Sequence, residues 1–165
     1  MFRYCIWYCI KKRSYLNAVA YNATLLNSFT FQPHITLKSD IKTYQEAKEQ
    51  CDRFRTLHQR LDEKIVFSPK SPPITSCSKI ITVVDTMDFH AIELPVALNG
   101  VPHKGLHISL AYRQTPFSAY EVACAYAANE ILFEELTLED LYLCVVDCSK
   151  KDPSSWKIVS KNEFN

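Results

Sequence analysis

The chain has 165 residues, 47% of them hydrophobic and 22% charged, and its 19 Lys and Arg against 18 Asp and Glu give a formal net charge of +1. That length and balance suit a single globular domain, able to bury a core without metals or disulfides. The near-zero charge argues against a duplex nucleic-acid footprint or a membrane-surface module, and leaves room for a small anionic ligand held by a few local groups.

Residues 3–11 are rich in aromatic and β-branched types and predict a strand. Its apolar run is closed by Lys11-Lys12-Arg13, too short for a membrane span, and no small-residue cleavage site follows. Ser14 is a capping residue for a helix to about 26, with Leu16, Val19, Ala20 and Ala23 on one face. Residues 29–38 predict a second strand. Asp40 and Thr43 then precede a strongly periodic helix whose apolar positions are Tyr44, Ala47, Cys51, Phe54, Leu57 and Leu61. A short strand at 65–67 is followed by a segment, 68–78, with three prolines and four serines, read as a loop connecting two halves.

Residues 79–85 predict a β-branched strand and 89–98 a weak helix interrupted by Pro95. A turn over 99–105 holds both glycines of the chain. A strand at 106–112 follows. Ser118-Ala119-Tyr120-Glu121 is a capping box opening a helix to about 132. Residues 136–138, 141–147 and 156–160 close the chain as strands. The order predicts an α+β domain spanning 1–165, with two similar lobes.

Seven cysteines, none in a Cys-x-x-Cys pair, indicate neither a zinc ribbon nor a thioredoxin motif. Cys5, Cys9, Cys144 and Cys148 fall inside apolar runs and are expected as buried free thiols in a reducing, cytoplasmic compartment.

Two tetrapeptides match: His34-Ile35-Thr36-Leu37 and His107-Ile108-Ser109-Leu110, 73 positions apart. With five His and 23 Ser or Thr in the chain, about 0.7 His-x-[Ser/Thr] patterns arise by chance, so context must decide. Both copies share the flanking Ile and Leu, both read as strands, and each lies in a different half. Strand alternation puts His34 and Thr36 on one face, with Ile35 and Leu37 on the other, and likewise for the second motif. Each motif thus offers an imidazole and a hydroxyl side by side.

That pairing suits phosphodiester cleavage. One histidine takes a proton from the nucleophile while the other gives one to the leaving oxygen. The hydroxyls hold the non-bridging oxygens. No metal or cofactor is required, and neither histidine has a carboxylate within two residues.

The motifs, with Ile6-Trp7-Tyr8-Cys9, Phe31-Gln32-Pro33 and the closing Trp156-Lys157-Ile158-Val159, resemble the two-histidine (2H) phosphoesterase superfamily. The likeness is to its LigT-like and cyclic-phosphodiesterase branches, and it spans nearly the whole chain. The resemblance implies a bilobal fold, with two antiparallel sheets around a central cleft, helices outside and pseudo-twofold symmetry. It implies His34 and His107 as catalytic residues and Thr36 and Ser109 as phosphate-binding ones. The implied substrates are phosphodiesters at a ribose 2′-oxygen: 2′,3′-cyclic phosphates, 2′,5′-oligoadenylate, or cyclic dinucleotides such as 2′,3′-cGAMP. Compact viral members of the family destroy such immune second messengers, a role that suits this chain as well as RNA end-processing does. A monomer acting on a small nucleotide or short oligonucleotide is expected. The alternative is a catalytically silent module that binds a nucleotide or an RNA end.

Trp7, Tyr8 and Tyr112 are candidate base-stacking aromatics. Trp7 and Tyr8 have opposite parity, so at most one faces the cleft. Tyr112 shares the parity of Ile108 and Leu110 unless a bulge intervenes. His58 and His90 read as surface residues, and His103 lies near enough to His107 to reach a cleft mouth.

Overall fold

The computed structural model describes residues 4–60, 65–69, 73–81, 86–128, 134–149 and 155–163. Among these residues nine strands and three α-helices follow in the order β1 (Tyr4–Ile10), α1 (Arg13–Leu25), β2 (His34–Ile41), α2 (Tyr44–Arg60), β3 (Val66–Pro69), β4 (Ile74–Ile81), β5 (Thr86–Leu98), β6 (Val101–Arg113), α3 (Ala119–Ala128), β7 (Leu136–Thr137), β8 (Leu141–Asp147) and β9 (Lys157–Glu163). The fold is α+β, and every strand pairing is antiparallel. The strands run β7-β3-β5-β6-β2-β1-β8-β9 across one curled sheet, with β4 paired to β5 beside β3. The two sheets expected are thus joined, and the join between β2 and β6 is the pair Ile35↔Ile108.

Period-two alternation sorts the central strands into two faces. Ile6, Tyr8 and Ile10 of β1, and Leu141, Leu143 and Val145 of β8, enter the main core. α1 covers β6 there, and α2 covers β1, β2 and β8. The alternate residues, Trp7 and Cys9 of β1 with Tyr142, Cys144 and Val146 of β8, build a second cluster on the opposite face. Burial on both faces explains why these strands read as nearly continuous apolar runs.

Several expectations change. β2 begins at His34, not at 29. The segment 89–98, expected as a helix, is strand, and belongs to the long β5–β6 hairpin. Its turn is Asn99-Gly100, with φ of 49° and 78°. Two successive positive φ values are what a two-residue type I′ turn requires, and Asn-Gly supplies them at least cost. Pro95 is tolerated because it borders a register shift, where the missing N–H breaks no regular ladder. β4 occupies much of the expected loop 68–78 and pairs with β5 from Ile74 to Ile81. The buried face of α1 is Tyr15, Ala18, Val19 and Asn22, one residue out of phase with expectation. Two polar-tipped residues turn inward because the Tyr15 hydroxyl donates to the Glu134 carbonyl at 2.9 Å and Asn22 Nδ2 to the Leu110 carbonyl at 3.2 Å. Ser14 does not cap α1, whose N-cap is Lys12 without a side-chain hydrogen bond.

Other signals match. In α2, Ala47 and Cys51 are fully buried while Tyr44 and Leu57 stay exposed, and the Glu46 amide donates to Thr43 Oγ1 at 3.2 Å. The capping box opens α3: the Glu121 amide donates to Ser118 Oγ, and the Ser118 amide to Glu121 Oε1, both at 3.1 Å. Leu61, residues 82–85 of the expected strand and residues 129–132 of the expected helix lie outside the described residues. Among the described residues no helix is long and apolar enough to cross a membrane.

Candidate active site

The site follows from the register at the join. Ile35 faces Ile108, so continuing the antiparallel pairing one residue each way sets His34 opposite Ser109 and Thr36 opposite His107. Both isoleucines point into the helix-covered core and are fully buried. All four motif side chains are therefore carried on the opposite face, with the histidines on a diagonal. The two motifs are related by a local twofold between the isoleucines.

The row continues outward on both sides. Cys9 of β1 pairs with His34, and Trp7 with Thr36. Glu93 of β5 pairs with Ser109, and Pro95 with His107. Between Ile92↔Ala111 and Glu93↔Ser109 the register slips by one residue, making Leu110 the extra residue of a bulge. The bulge returns Tyr112 to the face of His107 and Ser109, and lets Leu110 and Ala111 both enter the core. The buried Asn22 amide from α1 donates to the Leu110 carbonyl, so a helix side chain serves the backbone group at the bulge.

His34 is 4% exposed. The Trp7 indole lies flat against it, ring centroids 3.5 Å apart and planes at 7°. Its Nδ1 is 2.6 Å from the Gln32 carbonyl. A carbonyl only accepts, so Nδ1 carries the proton and Nε2 keeps its lone pair. Gln32 is itself anchored, its Nε2 donating to the Ile10 and Pro33 carbonyls at 2.9 and 3.1 Å. Burial pulls the imidazole down to about 4; the Gln32 hydrogen bond opposes that shift and the nearby His107 adds to it. His34 is consequently neutral at physiological pH.

His107 repeats the arrangement. Its Nδ1 donates to the carbonyl two residues back, Gly105, at 3.2 Å. Gly105 has φ of +94°, a conformation that favours glycine and aims that carbonyl at the ring. The other nitrogen, Nε2, lies 3.5 Å from Glu93 Oε1. Glu93 is held in turn by Ser76 Oγ, which donates to the same oxygen at 2.5 Å.

Ser109 is 1% exposed, and its hydroxyl has no hydrogen-bond partner among the described residues. Burial pushes the Tyr112 phenol beside it well above its usual range, and the Ser109 hydroxyl opposes that shift. Thr36 is half-buried on the same face.

Of the candidate aromatics, Trp7 is the one of its pair that faces the histidines, as a lid over His34. Tyr8 is 1% exposed in the main core on the other side of the sheet. Tyr112 meets Phe31 edge-on at 4.7 Å and Trp156 at 5.7 Å. Phe31 and Trp156 also lie edge-on to His34, at 6.2 and 6.3 Å, so Trp7, Phe31 and Trp156 surround one imidazole, and Tyr112 packs on the last two. His90 sits in β5 with Nε2 3.9 Å from Cys77 Sγ. Lys38, beyond the first motif, is exposed. The side chains of His58 and His103 lie outside the described residues.

Glu93, Phe31 and Trp156 were not among the candidate residues. Glu93 had one signal, a lone carboxylate in the apolar run 89–98. Reading that run as a strand would have carried Glu93 to one face. Only the register with β6 sets it beside His107.

No protein-family model matches the chain, and no curated protein matches it.

Proposed function

We propose that the protein is a metal-independent phosphodiesterase of the 2H type, cleaving a nucleotide phosphodiester at a ribose 2′-oxygen. The observation that carries this reading is the placement of two His-x-[Thr/Ser] motifs about the Ile35–Ile108 pair, with both imidazoles and both hydroxyls on one face. We read the curled sheet as two pseudo-symmetric lobes of one domain, with the cleft over the join. The seven free cysteines suit a reducing, cytoplasmic setting.

The chemistry divides unequally between the histidines. His34, neutral and with Nε2 carrying the lone pair, is the base that takes the proton of the attacking water. The water oxygen forms a bond to phosphorus as the bond to the ribose oxygen breaks. His107, donating from Nε2, protonates that oxygen. Thr36 and the buried Ser109 hydroxyl donate to the non-bridging oxygens as charge builds on them. A phosphate oxygen would give the buried Ser109 hydroxyl a charged acceptor, a stronger partner than a neutral group. Trp7 excludes water from one face of the base, while Phe31, Tyr112 and Trp156 supply aromatic surface beside it for a nucleobase.

The test is incubation with 2′,3′-cyclic mononucleotides, 2′,5′-oligoadenylate and 2′,3′-cGAMP, with products read by mass. Hydrolysis of at least one, lost in a His34→Ala, His107→Ala double variant, is expected. Full activity in that variant overturns the reading. Tight binding without turnover across the panel would favour a silent binding module.

A further inference from the structure

Glu93 is placed where the proposed reaction should not need a carboxylate. It lies in the row of Ser109 on the motif face, its side chain is 13% exposed, and Oε1 stands 3.5 Å from His107 Nε2. Ser76 Oγ fixes that oxygen from β4. His107 Nδ1 is committed to the Gly105 carbonyl, so Nε2 is the nitrogen left to face a phosphate. A phosphate oxygen hydrogen-bonded to Nε2 would sit roughly 5–6 Å from the carboxylate. An anion held that close to an anionic ligand weakens its binding.

The penalty depends on the ligand's charge. A phosphodiester carries one negative charge. The monoester released by hydrolysis approaches two near neutral pH, because its second ionisation lies near 6. A site built only of imidazoles and hydroxyls would hold the product more tightly than the substrate, and His34, being neutral, does nothing to reverse that order. A carboxylate in a partly desolvated position reverses it, since the repulsion scales with the added charge and is little screened there.

We propose that Glu93 is a specificity-determining residue that makes the site prefer a singly charged phosphodiester over a doubly charged phosphomonoester, and thereby expels the product. This rests on the phosphodiesterase reading. Ser76 is its positioning residue. The competing view is that Glu93 only braces His107. The two differ in sign: losing a brace weakens every ligand, whereas losing a repulsive charge tightens the more highly charged one.

The experiment compares wild type with Glu93→Gln, which keeps the size and an acceptor for Ser76, and with Glu93→Met, an uncharged variant of similar volume. Binding of adenosine 2′- and 3′-monophosphate is measured by calorimetry at pH 7.5, and KM is measured for adenosine 2′,3′-cyclic phosphate. Both variants should bind the monophosphates about tenfold more tightly, with KM for the cyclic diester changing by less than about threefold. Glu93→Asp, which keeps the charge, should keep the wild-type ratio. Wild-type turnover combined with unchanged or weaker monophosphate binding in a folded Gln or Met variant overturns the proposal and leaves the enzyme reading standing. A wild type that neither cleaves the cyclic phosphate nor binds the monophosphates overturns both.

Discussion

The Trp7 indole is stacked on the His34 imidazole with centroids 3.5 Å apart, and that contact is part of the burial that keeps the ring neutral. Trp7 and His34 come from neighbouring strands, and both are nearly excluded from water. A charged imidazole there would lose its hydration with, among the described residues, the Gln32 carbonyl to replace it. Desolvation therefore outweighs the hydrogen bond, and the ring stays neutral down to a pH of about 4.

This has a consequence for stability. The folded value of about 4 lies below the ordinary 6.5, so between those values the unfolded chain binds the extra proton. Stability rises with pH across that window. The contribution of His34 is complete above pH 6.5 and is lost as pH falls toward 4, by roughly 3 kcal/mol in all. Chemical unfolding at a series of pH values between 7.5 and 5 should show the decline in wild type and a flatter curve in His34→Gln. Parallel curves would mean that the buried ring is not what titrates.

The same contact predicts a pH–rate profile. With His34 as base, kcat/KM should rise with pH through about 4 and fall again as the acid deprotonates, giving a bell that EDTA does not alter. Trp7→Leu removes the lid, lets water reach the imidazole and moves the acid limb upward toward 6.5. Either His34→Ala or His107→Ala should reduce kcat by about 10²–10⁴. An acid limb that stays in place in Trp7→Leu would separate the base from His34.

How far the site was legible depends on distance along the chain. Alternation within a strand is local, so the common face of His34 with Thr36, and of His107 with Ser109, could be read directly. The Ile35↔Ile108 pairing could not, because no residue pattern states which two of nine strands meet. The segment 89–98 failed for a related reason. Phe89, Ile92 and Val96 are spaced like a helix face, and only the hairpin with β6 resolves the ambiguity. The local clue was Asn99-Gly100, a strong signal of a two-residue hairpin turn. The same hairpin is what carries Glu93 to the row of Ser109. The Leu110 bulge also exists only in the pairing, and with it went the correct face for Tyr112.

That bulge can be tested through Asn22. Its amide serves the Leu110 carbonyl from a fully buried position. Asn22→Leu leaves this carbonyl without that donor and should cost about 1–3 kcal/mol in urea unfolding. Because the bulge aims Tyr112 at Phe31 and Trp156, the near-ultraviolet circular dichroism of the aromatic cluster should change as well. A stable variant with an unchanged aromatic spectrum would show that β6 keeps its bulge without help from α1.

Arg113, at the end of β6, sets a salt bridge against backbone hydrogen bonds. Its guanidinium makes a bidentate pair with Glu121 at 2.6 and 2.7 Å and donates to the carbonyls of Leu26, Thr115 and Pro116 at 2.8, 3.1 and 2.6 Å. Its cation also lies 4.1 Å above the Phe117 ring. The Glu121 carboxylate is pulled down to about 2, chiefly by that pairing, so the stability it adds is present above its usual 4.5 and is lost as pH falls toward 2. Solvent reaches Glu121 and screens the pair, so Glu121→Gln should cost only about 1 kcal/mol, and less in high salt. Arg113→Met removes that pair together with the donor to three carbonyls joining the ends of α1 and β6 to the start of α3, and should cost about 2–4 kcal/mol, of which only the ion-pair share shrinks in high salt. Arg113→Lys should fall between the two, since one ammonium cannot span the fork. Urea titrations at low and high salt measure all three. If Glu121→Gln proves as costly as Arg113→Met, the ion pair rather than the carbonyl clamp is what fixes α3 to the sheet.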